Sequence, residues 1–123
     1  MTPSEALSLY AALYEISRGK RRTAIRDVLA LVGLESQRDR RIRTLSTGAR
    51  KQLEIARAIL CPSKIIILDE PMADLDAEMR RRLWEHVLSA REYDGKTIII
   101  ATSRAEDADL CDRIVLLHRG RVL

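Results

Sequence analysis

Apolar residues recur at Ala6, Leu9, Tyr10, Leu13 and Tyr14, the three-to-four spacing of one helical face. Ahead of them, Thr2-Pro3-Ser4-Glu5 reads as an N-cap, a first-turn proline and a capping box. Arg18-Gly19-Lys20-Arg21-Arg22 then reads as a basic linker. Ile25, Val28, Leu29 and Val32 predict a second amphipathic helix, with Gly33 as its C-terminal stop. Residues 35–43 read as an exposed polar connection. A third helix is expected from about Ser46, carrying Ala49, Leu53, Ala56 and Leu60 on one face and ended by Pro62.

Beyond Pro62 the pattern changes. Lys64–Leu68, Thr97–Ala101 and Ile114–Leu117 are short apolar runs without alternation. Such runs predict strands covered on both faces, the habit of parallel sheets. A helix from about Asp76 separates the first two, with Met79, Leu83, Trp84, Val87 and Leu88 inward and Asp94-Gly95 as the turn out. A shorter polar segment, 103–112, separates the second and third. Gly120 turns the chain back towards Val122 and Leu123 as a clipped hairpin. Residues 1–60 therefore read as a helical part and 61–123 as a β-α-β-α-β piece, an α/β class.

Composition narrows the function. The 123 residues carry 22 Lys plus Arg against 18 Asp plus Glu, a net charge of +4, which permits an anionic ligand without demanding one. Charged residues make up 33% of the chain, and the apolar runs reach about five residues where a membrane-spanning helix needs about 20. The start, MTPSEALSLY, lacks the basic-then-apolar layout of a secretory signal. Cys61 and Cys111 give neither a disulfide framework nor a zinc spacing and suit a reducing cytosol. Aromatic residues are only 3%, too few for a surface that stacks bases.

Two places could carry chemistry. In IIILDEP, residues 65–71, an apolar strand ends in two adjacent carboxylates, and ligands of parallel sheets bind at the carboxyl ends of strands. Asp69 could hold Mg²⁺ while Glu70, pointed elsewhere by strand alternation, orients or deprotonates water. In Leu45-Ser46-Thr47-Gly48-Ala49-Arg50, Ser46 and Gly48 stand where a helix begins, and helix starts expose unpaired amides that attract phosphate. Ala49 stands where a capping box needs Glu or Gln, so that end is more available to an external anion. Taken singly, a solvated strand end explains the first place as well, and a plain serine-capped helix explains the second better.

Taken together, helix start, helix, strand, paired acids and Ala73-Asp74-Leu75-Asp76 resemble the layout of the ABC-type ATPase domain. LSTGA at 45–49 resembles its signature motif, residues 65–70 its Walker B strand, and ADLD at 73–76 its D-loop. The first 43 residues resemble the helical subdomain of the exporter branch. The resemblance implies a truncated P-loop NTPase core: helical subdomain with signature motif at 1–60, then the Walker B, D-loop and switch half at 61–123, a partial, mostly parallel sheet with flanking helices. It implies that Asp69 serves Mg²⁺ through water and that Glu70 polarises the attacking water. Ser46, Thr47 and Gly48 would touch the γ-phosphate of ATP held by a second ATP-binding domain, in a homo- or heterodimer. Asp76 would sit at the contact between the two domains. A transmembrane permease subunit, and a cytoplasmic position at the inner face of the membrane, are implied as well.

The chain also departs from that pattern. No G-x-x-x-x-G-K-[ST] occurs in these residues: near Gly19-Lys20, Tyr14 stands where the first glycine is needed and Arg21 where Ser or Thr is needed. The Q-loop is not among them either. In Thr102-Ser103-Arg104-Ala105-Glu106-Asp107-Ala108, Ser103 occupies the position of the switch histidine. The 123 residues alone are therefore expected neither to bind ATP tightly nor to hydrolyse it. Their sheet is expected to expose edges and apolar faces and so to associate. Two other readings fit parts of the pattern: the lobe of a chromosome or repair ATPase, which the absence of sustained heptads in residues 4–33 disfavours, and a non-catalytic binding or regulatory module using Arg38, Arg40, Arg41, Arg43 and Arg80–Arg82. Those arginine runs lack interleaved aromatics, and nucleic acid is not the expected partner.

Overall fold

The computed structural model describes residues 1–123. Helix α1 spans Pro3–Leu13, and its start is the expected capping box: the Glu5 amide donates to Thr2 Oγ1 (3.2 Å) and the Thr2 amide to Glu5 Oε2 (2.9 Å). Its inward residues are Pro3, Ala6, Leu7 and Ala11, whereas Leu9 and Leu13 face solvent at 49% and 65% exposure. Helical spacing marks a stripe but cannot say which of two adjacent stripes meets a neighbour. Helix α2 spans Arg18–Leu31. The basic run is thus the beginning of a helix and not a linker. Glu15 makes the turn in the left-handed region (φ 58°), and arginine and lysine are good helix formers once the chain has reversed. Gly33 stops α2 as expected, at φ 73°, with its amide on Ala30 O and the Leu34 amide on Leu29 O, the paired bonds of a Schellman end.

Two short 3₁₀ turns, Glu35–Gln37 and Ile42–Thr44, lead to α3, Thr47–Leu60. Arg57 on α3 donates to the Tyr10 hydroxyl (3.0 Å), tying α3 to α1. Strand β1 is Ile65–Asp69, α4 is Ala77–Tyr93 and β2 is Thr97–Ala101. The strands pair in parallel, Ile65 opposite Thr97 through Asp69 opposite Ala101, with α4 as the crossover. A short helix, α5 (Ala105–Ala108), precedes an antiparallel hairpin of β3 (Leu117–His118) and β4 (Arg121–Val122).

One cluster of 20 buried residues runs from Leu7 to Val87 through α1, α2, α3, β1 and α4. The sheet is covered on one face only. Ile66 and Leu68 are buried, while Ile65, Ile67 and Ile99 stand 55%, 70% and 52% exposed. The expectation of strands covered on both faces is corrected here: α3 packs on β1 and α4 on β2, and nothing in the chain covers the opposite side. The expected third parallel strand at Ile114–Leu117 is also absent. Arg119 and Gly120, both at positive φ (49° and 75°), make a two-residue hairpin turn that pairs Leu117 locally with Val122.

His86 on α4 borders a cavity of about 290 Å³ between α2 and α4, with Asp27 and Arg82 on its walls. Burial, and then the Lys96 charge, hold its imidazole below the ordinary range, with Asp94 opposing. The unfolded chain therefore takes up this proton more readily than the folded one. Stability is complete above the unfolded value of about 6.5 and falls as pH drops through it towards the folded value. Thermal unfolding at pH 7.5 and 5.5 should show a loss at the lower pH that becomes smaller in His86→Gln.

Candidate nucleotide site

Strand β1 ends with its two carboxylates beside the end of β2. Asp69, opposite Ala101, is exposed; Glu70 is half-buried, and its amide extends the ladder to Ala101 O (2.7 Å). Glu70 then turns into the left-handed region at φ 46°, a conformation that costs a non-glycine residue about 1–2 kcal/mol. Pro71 and Met72 behind it are fully buried and hold that turn in place. Neither Asp69 nor Glu70 accepts a side-chain hydrogen bond or forms an ion pair, so both carboxylates are free for an external partner. No three acidic, histidine or cysteine side chains gather as a metal set. The residues therefore suit Mg²⁺ held through one carboxylate, water and substrate phosphate, and not a protein cage.

Ser103 lies two residues past the end of β2, exposed at the same end of the sheet. Sequence reasoning missed what anchors this loop. Asp107 is 3% exposed and accepts from Trp84 Nε1 (3.3 Å) and Thr102 Oγ1 (2.6 Å). The Thr102 hydroxyl accepts in turn from the Arg104 amide (3.1 Å), pinning the loop around Ser103. Arg104 Nε, buried without a hydrogen-bond partner, sits 3.8 Å from Asp107 Oδ1, an ion-pair distance too long for a hydrogen bond. The residues are visible in the sequence, but nothing local marks Asp107 as buried, because its donor Trp84 is 23 positions away. Replacing Asp107 with alanine strands these donors and should lower stability by about 2–4 kcal/mol, read by urea unfolding.

The start of α3 is built differently. Buried Leu45 anchors it, and Ser46 caps it, with Oγ accepting from the Ala49 amide (3.1 Å). Ala49 has no side chain to complete the box, and the amides of Thr47 and Gly48 have no acceptor within the chain. Ser46 and Thr47 are exposed, and a Cβ added at half-buried Gly48 would meet nothing within 4 Å. This end offers two amides and two hydroxyls to an anion, one hydroxyl already shared with its own helix. Asp76 caps α4 through Oδ1 to the Met79 amide (2.8 Å), and Arg80 Nη1 holds Leu75 O (2.6 Å), fixing the turn at 73–76.

The fold thus brings Asp69, Glu70 and Ser103 to one sheet end. It leaves Ser46, Thr47 and Gly48 on a separate helix start, with no hydrogen bond or ion pair between the two groups. Carboxylates at the end of a parallel strand, beside a crossover helix, stand where ligands bind in α/β folds. A family model described as ABC transporter matches residues 2–73. The chain belongs to that family, whose ATP-binding domains work with ATP and Mg²⁺. Among curated proteins it is 36% identical over 121 residues to the Nod factor export ATP-binding protein I of Rhizobium johnstonii, covering 98% of this chain and 39% of that one. It is 37% identical over 123 residues to the human phospholipid-transporting ATPase ABCA3, covering 99% of this chain and 7% of that one. The dimeric ATP-binding cassette MJ0796 bound to ADP and Pi superposes with a TM-score of 0.85 at 28% identity, covering 99% of this chain and 54% of that one. The chain spans about half of that cassette and less than half of these curated relatives. No helix is long and apolar enough to cross a membrane.

Proposed function

We propose that this chain supplies the signature and catalytic-carboxylate elements of an ABC transporter's ATP-binding cassette, working at the inner face of the membrane with a transmembrane permease. Two such cassettes pair head to tail, and each ATP is held between the sheet end of one and the α3 start of the other. Residues 1–60 form the helical subdomain and 61–123 the half bearing Walker B, D-loop and switch position. Mg²⁺, when bound, polarises the terminal phosphate. Asp69 orients its water shell, Glu70 accepts the proton of the attacking water, and Ser103 offers a hydroxyl in place of an imidazole. Ser46, Thr47 and Gly48 donate to the γ-phosphate from across the interface, and Asp76 holds the contact turn.

The observation that carries this reading is the pair of unsatisfied ends: two carboxylates without partners on a strained strand tip, and two amides without acceptors at a helix start. The exposed side of the sheet at Ile65, Ile67 and Ile99 further supports a chain that works packed against more of a cassette. The test is association. Mixed with a polypeptide carrying the phosphate-cradling half of a related cassette, the chain should bind it more tightly with ATP and Mg²⁺ than without, by analytical ultracentrifugation. Association indifferent to nucleotide would refute the reading.

A further inference from the structure

The basic run that begins α2 has no role in the nucleotide site. Together with α1 and the segment after the first 3₁₀ turn, it encloses a cavity of about 490 Å³. Five arginines are among its lining residues, Arg18, Arg21, Arg22, Arg26 and Arg38, and no Asp or Glu is. Its inner wall is firm, because Ile25 and Leu29 there belong to the buried core. Arg38 is held at the rim by its own carbonyl, which accepts from the Ser4 amide (3.1 Å).

The charges are poorly compensated. Arg26 and Arg38 pair only with their exposed sequence neighbours Asp27 (3.3 Å) and Asp39 (3.6 Å), contacts worth little in water. Arg21 spends its Nε on Ile16 O (2.7 Å), a neutral acceptor. Arg18 and Arg22 have no carboxylate within ion-pair distance. Elsewhere arginines reach acids beyond their immediate neighbours and at shorter range, Arg57 to Glu54 (2.9 Å), Arg81 to Glu85 (2.6 Å) and Arg91 to Asp112 (2.9 Å). Like charges around one concavity repel one another, and an anion seated among them removes that cost. The guanidinium fork fits phosphate oxygens in pairs. A water takes about 30 Å³ of liquid, so the space admits an anion with several phosphate groups and some of its hydration.

We infer that this cavity is a binding site for a compact anion bearing two or more phosphate groups, either free in solution or as the headgroup of a phosphoinositide-type lipid. The site is separate from the nucleotide-binding elements and does not depend on that assignment. A concave site without aromatic residues suits a small polyanion better than a nucleic-acid strand.

Isothermal titration of the chain with inositol hexakisphosphate at low salt tests it, with flotation on phosphatidylcholine vesicles with and without phosphatidylinositol bisphosphate as a second arm. Saturable binding that weakens as salt rises is expected. Arg18→Gln and Arg22→Gln, both at exposed positions, should each weaken it on the order of tenfold or more. Arg40→Gln and Arg41→Gln, exposed and outside the cavity, should leave it within about twofold, since they lose only screened long-range attraction. Capture by the doped vesicles assigns the ligand to a headgroup; binding of the soluble anion without capture assigns it to a free one. No binding in either arm, or equal losses in the cavity and control variants with circular dichroism unchanged, would overturn the proposal.

Discussion

Glu70→Gln in the assembled cassette should lower ATP turnover by about 10²–10⁴-fold while leaving nucleotide-dependent association intact. The amide keeps the size of the carboxylate and can still point at water, but it cannot take a proton near neutral pH. The folded chain should not notice, because the Glu70 side chain makes no hydrogen bond or ion pair within it. Glu70→Gly sharpens the test. At φ 46° a glycine escapes the steric cost of the left-handed region, so stability should stay level or rise by up to about 1 kcal/mol while turnover is lost. Losing activity without losing stability separates a residue kept for chemistry from one kept for packing. Single-turnover hydrolysis and urea unfolding on the same samples make the comparison. Turnover within twofold of the parent in Glu70→Gln would remove Glu70 from the reaction.

Gly48→Arg should abolish ATP-dependent association, and Gly48→Ala should weaken it. Gly48 has an ordinary helical conformation with open space around it, and an added Cβ meets nothing within 4 Å. The fold itself therefore does not require glycine there. Alanine at this first-turn position should instead leave stability level or raise it, by no more than the helix-interior value of about 0.5–1 kcal/mol. What needs the space is something outside the chain, a phosphate or the surface that carries it, brought against the free amides of Thr47 and Gly48. An arginine at this position fills that approach. Thermal unfolding should be unchanged or higher for both variants. Association that survives Gly48→Arg would show that this helix start does not face the nucleotide.

Legibility in this chain followed the range of the interaction involved. The caps at Thr2, Ser46 and Asp76 and the stop at Gly33 were readable because each joins atoms only a few positions apart. The carboxylate pair was readable because a short apolar run ending in two acids is itself a local pattern. The start of α2 reads locally as a linker, because the turn that frees it depends on Glu15 adopting a positive φ that no composition signal marks. Arg80–Arg82 looked like one basic patch, yet Arg80 holds Leu75 O, Arg82 holds Ala30 O and Arg81 pairs with Glu85. The basic surface lies instead where α1 and α2 meet.

The amino-acid order alone determined the caps at Thr2, Ser46 and Asp76, the stop at Gly33 and the strand–helix–strand order from Ile65 to Ala101. Capping bonds and side-chain periodicity are properties of neighbours, and neighbours are fixed by the chain. Only the folded arrangement decided that Leu9 and Leu13 face outward, that one side of the parallel pair stays bare, and that Trp84 and Thr102 converge on Asp107. It alone gathered five arginines around one cavity. Burial, and the partner each polar group finds there, depend on which distant segments are brought together.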